Sequence, residues 1–141
     1  MGNSKSINKA NYEDIQYILD YKSDKFLLIN TLGENEQQCI IPYTCTLDTE
    51  TNIINELLKE GKTSAKIIIY GKNCNDDTIY KKYNQLLSFG FYNTFIYTGG
   101  LFEWLLLQDI YGNEEFPTTK KELDILKYKP PQIFKSNLLE Y

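Results

Sequence analysis

KIIIYGKNCNDDTIYKKYNQLLSFGFYNTFIYTGGLFEW, residues 66–104, decides the fold. KIIIY, 66–70, is a continuous apolar run of strand length, suited to a strand buried on both faces. A polar loop follows. Ile79, Tyr83, Leu86 and Leu87 then recur at helical spacing until Gly90 stops the pattern. NTFIY supplies another strand, and Gly99-Gly100 turns into a short, very apolar helix over 99–112. Strands alternating with helices of this length predict a parallel sheet wrapped on both sides. The loop after KIIIY holds a thiol, Cys74, with Lys72 on one side and Asp76 and Asp77 on the other.

Working outward, DTETNIINELLKEG (48–61) predicts a helix capped at Asp48/Thr49, with Ile53, Ile54, Leu57 and Leu58 on one stripe and Gly61 at its end. FLLIN, 26–30, is a second buried-strand run. A polar loop over 31–39 separates it from CIIPYT, a short extended piece broken by Pro42. NYEDIQYILDY opens with Asn11 as N-cap and Asp14 three residues on, with Ile15, Ile18 and Leu19 on one face. The expected fold class is α/β: a parallel sheet of four or five strands with helices on both faces, plus a C-terminal extension. Residues 1–10 carry little that is apolar and are expected to form a mobile arm, with the domain over 11–112. Residues 113–141 are expected to dock back through Phe116, Leu123, Ile125, Phe134 and Leu138. They are expected to hold one helix from Thr119 to about Tyr128, ended by Pro130 and Pro131.

Composition excludes several chemistries. The 141-residue chain has a net charge of −4, and its lysines are scattered, so a basic nucleic-acid face is not expected. It contains no His, no Arg and no Val. Without His there is no imidazole base, no Ser–His or Cys–His pair and no imidazole metal site. Without Arg there is no bidentate phosphate clamp. The spacings of Cys39, Cys45 and Cys74 fit neither a CxxC pair nor a zinc site, so reduced thiols are expected, with no metal and no cofactor.

The order of these segments resembles the rhodanese family, small α/β domains that include sulfurtransferases, over roughly residues 11–112. FLLINTLGENEQQCIIPYT is similar to the family's apolar strand ending in Asp-x-Arg, variable loop and His-Ile-Pro-Gly segment. KIIIYGKNCNDDTIYKKY is similar to its catalytic strand, loop and helix. Gly90-Phe91, the next strand and Gly99-Gly100…Trp104 follow in family order. In that family a cysteine directly after the strand carries a persulfide in a bowl of backbone amides. Such amides and a helix N-terminus stabilise an anionic sulfur. Counted forward from the strand, the cysteine position is Gly71; counted back from Gly90, it falls near Asn73. Cys74 occupies neither. The Asp-x-Arg has become Asn30-Thr31-Leu32, and the His before Ile-Pro is Ile40.

Three readings of the loop Gly71, Lys72, Asn73, Cys74, Asn75 and Asp76 remain. It belongs to a non-catalytic module that binds a protein partner, or it serves a thiosulfate-type sulfurtransferase with the persulfide on Cys74, or its Gly71 to Asn75 amides hold a small anion. Asp76 and Asp77 disfavour an anionic sulfur and are ordinary first-turn residues of a helix. A phosphatase of this fold needs Cys-x5-Arg, which a chain without arginine lacks. Separately, MGNSKS matches the Met-Gly-x-x-x-Ser acceptor pattern for N-myristoylation, with Gly2 as acceptor and Lys5 and Lys9 nearby. One acyl chain gives only reversible membrane binding. The sequence has no bilayer-length apolar run and no secretory segment, so a cytoplasmic protein, transiently on the cytoplasmic membrane face, is expected.

Overall fold

Ile67, Ile68 and Ile69 are all buried because the strand they build lies at the centre of the sheet. The structure, a computed structural model, describes residues 6–134. Its elements run β1 (Lys9–Ala10), α1 (Tyr12–Tyr17), β2 (Phe26–Asn30), α2 (Leu47–Lys59), β3 (Lys66–Tyr70), α3 (Asp77–Ser88), β4 (Thr94–Tyr97) and α4 (Gly100–Tyr111). The four strands form one parallel sheet in the order β1-β4-β3-β2. CIIPYT contributes only a single bridge, Thr44 beside Leu28, so among the described residues the sheet has four strands and not five.

Alternation along the strands sorts the core into two layers. Leu28, Ile68, Tyr70 and Tyr97 pack with Ile15, Ile18, Leu101, Trp104 and Leu105, which places α1 and α4 on one face. Ile29, Ile67, Ile69 and Ile96 pack with Ile54, Ile79, Tyr83 and Leu86, which places α2 and α3 on the other. Both α2 and α3 end in a Schellman motif. Gly61 (φ 71) lets Lys62 N bond Leu57 O at 2.8 Å, and Gly90 (φ 98) lets Phe91 N bond Leu86 O at 3.0 Å.

Several expectations need correction. The N-cap of α2 is Thr46, whose Oγ1 accepts from Thr49 N at 3.2 Å, so the helix starts ahead of Asp48. Asn11 caps α1 through the expected box with Asp14, but the helix passes into a π-helical turn at Ile18–Lys22. The arm expected over 1–10 joins the sheet from Asn8 onward. Its backbone N donates to Tyr83 Oη at 3.2 Å, and its carbonyl accepts from Ile96 N at 2.9 Å. Gly2 and Leu138 lie outside the described residues.

The extension packs through Phe116, with Ile125 half-buried against the core, but Leu123 and Phe134, expected to dock, are exposed, and the expected helix is absent. Phe116 is buried with its ring 5.0 Å from that of Trp104, and Trp104 Nε1 donates to Pro117 O at 2.8 Å. Thr119 N donates to Ile40 O at 2.8 Å and Thr119 Oγ1 accepts from Ile40 N at 3.1 Å. That pairing ties the backbone to Ile40 where a helix was predicted to begin. Across 119–128 the helical structure is a 3-10 turn, Ile125–Tyr128, and Lys129 before Pro130 is extended at ψ 155.

One backbone position is unusual. Tyr43 has φ 69, in the left-handed region, and its side chain is exposed. It falls where the His-Ile-Pro-Gly pattern carries glycine, so the turn shape persists without the residue that adopts it freely.

Candidate functional site

The loop 71–76 leaves the carboxyl end of β3 and enters α3, the expected place for a reactive group. The first-turn amides of α4 hold it from one side. Leu101 N donates to Gly71 O at 2.9 Å and Phe102 N to Lys72 O at 2.8 Å, so two otherwise unpaired helix donors are satisfied by the loop. Gly100 permits this approach. Its φ is 67, and a Cβ there would lie 2.8 Å from Gly71 O and 2.9 Å from Asn73 N.

Two side chains organise the rest. Asp76, the N-cap of α3, accepts from Lys72 N at 3.1 Å through Oδ2 and from Thr78 N at 3.1 Å through Oδ1. Thr78 Oγ1 donates to the same Oδ1 at 2.6 Å and stands 2.8 Å from Thr31 Oγ1, which ties the loop to the end of β2. Asn73 is buried and points the other way. Its Nδ2 donates to Tyr128 O at 2.7 Å, and its Oδ1 accepts from Asn75 N at 2.8 Å. The amides of Lys72 and Asn75 are therefore turned onto the loop's own side chains.

Cys74 projects into solvent, with Asn75 Oδ1 3.8 Å from its sulfur. The position directly after the strand is closed: a Cβ on Gly71 would stand 2.6 Å from Asp76 Oδ2, 2.7 Å from Ile79 Cγ1 and 2.8 Å from Thr31 Oγ1. Lys72 does not face Cys74 alone, since its Nζ pairs with Glu36 at 3.4 Å. The other two thiols lie elsewhere. Burial pushes the pKa of Cys39 and of Cys45 up, which keeps both protonated and unreactive.

Beside the loop, between α2 and α3, a cavity of about 490 Å³ is lined by Thr31, Glu50, Thr78, Lys81 and Lys82. Within it Lys82 Nζ bonds Glu50 Oε2 at 2.6 Å, so the largely buried carboxylate is paired. Among the described residues there is no cluster of three or more His, Cys, Asp or Glu able to hold a metal ion, and no helix long and apolar enough to cross a membrane.

The six loop residues marked in the sequence are consecutive, and the structure turns them apart: Asn73 faces Tyr128 and Cys74 faces solvent. The sequence did not mark Thr31, Thr78, Glu36 or Tyr128, which complete the loop's bonding. Thr78 carried a local signal, two residues after a capping aspartate. Tyr128 carried none.

Solved structures share this arrangement of strands and helices. The rhodanese-like domain of the Alr3790 protein from Anabaena sp. matches with a TM-score of 0.57 at 19% identity, covering 91% of this chain and 88% of its own. The fold is rhodanese-like. A single-domain sulfurtransferase from Saccharomyces cerevisiae matches with a TM-score of 0.54 at 20% identity, over 78% of this chain and 98% of its own. A yeast protein described as a tyrosine phosphatase of the rhodanese family gives 0.55 at 13% identity, over 87% and 99%. These rhodanese-like neighbours span different chemistries, and at such identities they establish the shape of the domain alone. No protein-family model matches the chain, and no curated protein matches it.

Proposed function

We propose that this rhodanese-like domain is a non-catalytic interaction module that performs no sulfur transfer. One observation supports this above the rest. The position after β3 is filled by the Asp76, Ile79 and Thr31 side chains, which leave no room for a thiol at Gly71. In addition, a persulfide needs converging free donors, and the amides of Lys72 and Asn75 are engaged by Asp76 and Asn73. The test is incubation of the full chain with thiosulfate and cyanide, with Cys74→Ser as control. No thiocyanate above that control is expected; turnover that disappears with the substitution would overturn the reading.

A second reading, sulfur transfer on Cys74, is favoured by the exposure of that thiol. The same assay decides between the two. The anion-pocket reading of the loop is weaker, because two of the amides it would use, those of Lys72 and Asn75, are already bonded within the loop.

The module is further proposed to be tethered through myristoyl on Gly2, on the strength of MGNSKS and the neighbouring lysines. A cytoplasmic location, peripheral on the membrane, and a protein partner follow from that proposal. Intact-mass measurement after co-expression with a myristoyltransferase, against Gly2→Ala, tests the acylation. An unchanged wild-type mass removes the membrane from the function.

A further inference from the structure

β1 does more than close the edge of the sheet. Lys9 and Ala10 form one wall of a cleft of about 300 Å³, whose other walls are Ile18 of the π-helical turn and Phe26, Ile68 and Phe95 on the sheet face beneath it. Phe26 and Phe95 on that face are only half-buried. The lining of the cleft is mainly apolar. The acid in it, Asp14, is engaged in the α1 cap, accepting from Asn11 N at 2.9 Å. A volume near 300 Å³ is at the small end for ligand pockets, the size for a slender aliphatic group.

The described chain begins at Ser6 and enters the cleft wall at Lys9. Gly2 stands seven residues before Lys9, a tether of at most about 25 Å, so a group on Gly2 reaches a cleft built partly by its own strand. Tyr17 and Phe26 are shared with an adjoining cavity of about 520 Å³ whose rim carries Lys22, Lys25 and Lys66. Apolar cleft and basic rim thus lie at one end of the domain, within tether reach of Gly2.

We propose that this cleft holds the myristoyl chain of Gly2, which stores the membrane anchor against the sheet until anionic lipid at the lysine rim competes for it. The inference rests on the acylation reading above and goes beyond it. Bound in the cleft, the methylenes leave water without a membrane; released, they insert while the lysines face the headgroups.

The experiment uses the full chain, acylated by co-expression and verified by intact mass, sedimented with vesicles of phosphatidylcholine and phosphatidylserine. Ala10→Leu fills the cleft from an edge-strand position. It is expected to raise the bound-to-free ratio of the acylated chain about tenfold, equivalent to roughly two methylenes expelled at ~0.8 kcal/mol each. Equal partitioning of acylated wild type and variant overturns the stored anchor and leaves acylation standing. Absence of the acyl mass overturns both. A second measurement is independent of the variant's folding: free myristate added to the unmodified wild-type chain is expected to raise its melting temperature, since a ligand of the folded state stabilises it. An unchanged melting temperature at saturating myristate also overturns the inference.

Discussion

Placing a cysteine where rhodanese-like enzymes carry it is the sharpest perturbation of this loop. In Gly71→Cys the new Cβ meets three atoms at 2.6–2.8 Å, belonging to Asp76, Ile79 and Thr31. None is free to withdraw. Ile79 is buried in the α2/α3 layer, and Asp76 Oδ2 is bonded to Lys72 N at 3.1 Å. Overpacking of this kind costs about 1–3 kcal/mol, and displacing the N-cap of α3 adds ~1 kcal/mol. The sum is roughly 2–4 kcal/mol. At about 3–5 °C per kcal/mol for a domain of this size, the melting temperature should fall by about 6–20 °C. Urea unfolding, with the slope unchanged, measures the loss directly. Thiosulfate–cyanide turnover is expected to stay at background under conditions where the variant is still folded. A variant within 0.5 kcal/mol of wild type that also releases thiocyanate would falsify the closed-loop reasoning, because the pocket would then have to open at no cost.

Other consequences are more local. Asn73→Ala removes the donor to the Tyr128 carbonyl and the acceptor for Asn75 N; a loss of about 2–4 kcal/mol is expected in urea unfolding, because a buried carbonyl is left unpaired, and a loss under 0.5 kcal/mol would contradict the anchoring role. Tyr43→Gly relieves a left-handed backbone at a site whose side chain buries little, so a gain of ~0.5–1 kcal/mol is expected, and destabilisation would show that Tyr43 has a contact worth more than its strain. Burial pushes the hydroxyl pKa values of Tyr70 and Tyr97 well above the ordinary tyrosine range, with Glu103 at 2.6 Å adding to the rise at Tyr97. The unfolded chain ionises near pH 10 while the folded one keeps both protons, so stability is fully present below about pH 10 and declines above it by roughly 1.4 kcal/mol per pH unit for each group. The part of the tyrosinate absorbance that is missing from Tyr70→Phe and Tyr97→Phe should appear together with loss of helical circular dichroism, and ionisation of these two rings in a chain still folded would refute the assignment.

How much of this was visible in the sequence depended on how local its cause is. β2, β3 and β4 were legible because buried parallel strands require unbroken apolar runs, and FLLIN and KIIIY are such runs. The ends of α2 and α3 were legible at Gly61 and Gly90, since left-handed C′ positions call for glycine. The start of α2 was misplaced because Thr46, Asp48 and Thr49 are all capping residues, and the choice rests on which hydroxyl faces an amide. β1 was missed because two residues show no periodicity; it forms through bonds to Tyr83 and Ile96, more than 70 positions away. The false helix at Thr119 has the same origin, since its pairing with Ile40 spans 79 residues. At the site, the six loop residues could be named from the resemblance, while the partner of Asn73 lies 55 residues downstream and left no local trace.

If the domain is the non-catalytic module proposed above, its loop backbone works against sulfur chemistry as much as the placement of its thiol does. An amide bowl stabilises an anion only while its N–H groups are unpaired and converge. Here Asp76 bonds the amide of Lys72 and Asn73 bonds that of Asn75, so a thiol added nearby meets two donors already satisfied. Reversing one change would not restore the bowl. Removing Asp76 unties the cap of α3, and removing Asn73 releases the Tyr128 carbonyl that holds the extension against the loop. The bonds that close the loop also join β3, α3, α4 and the extension. On the proposed reading, that dependence makes the loop a structural joint between these elements.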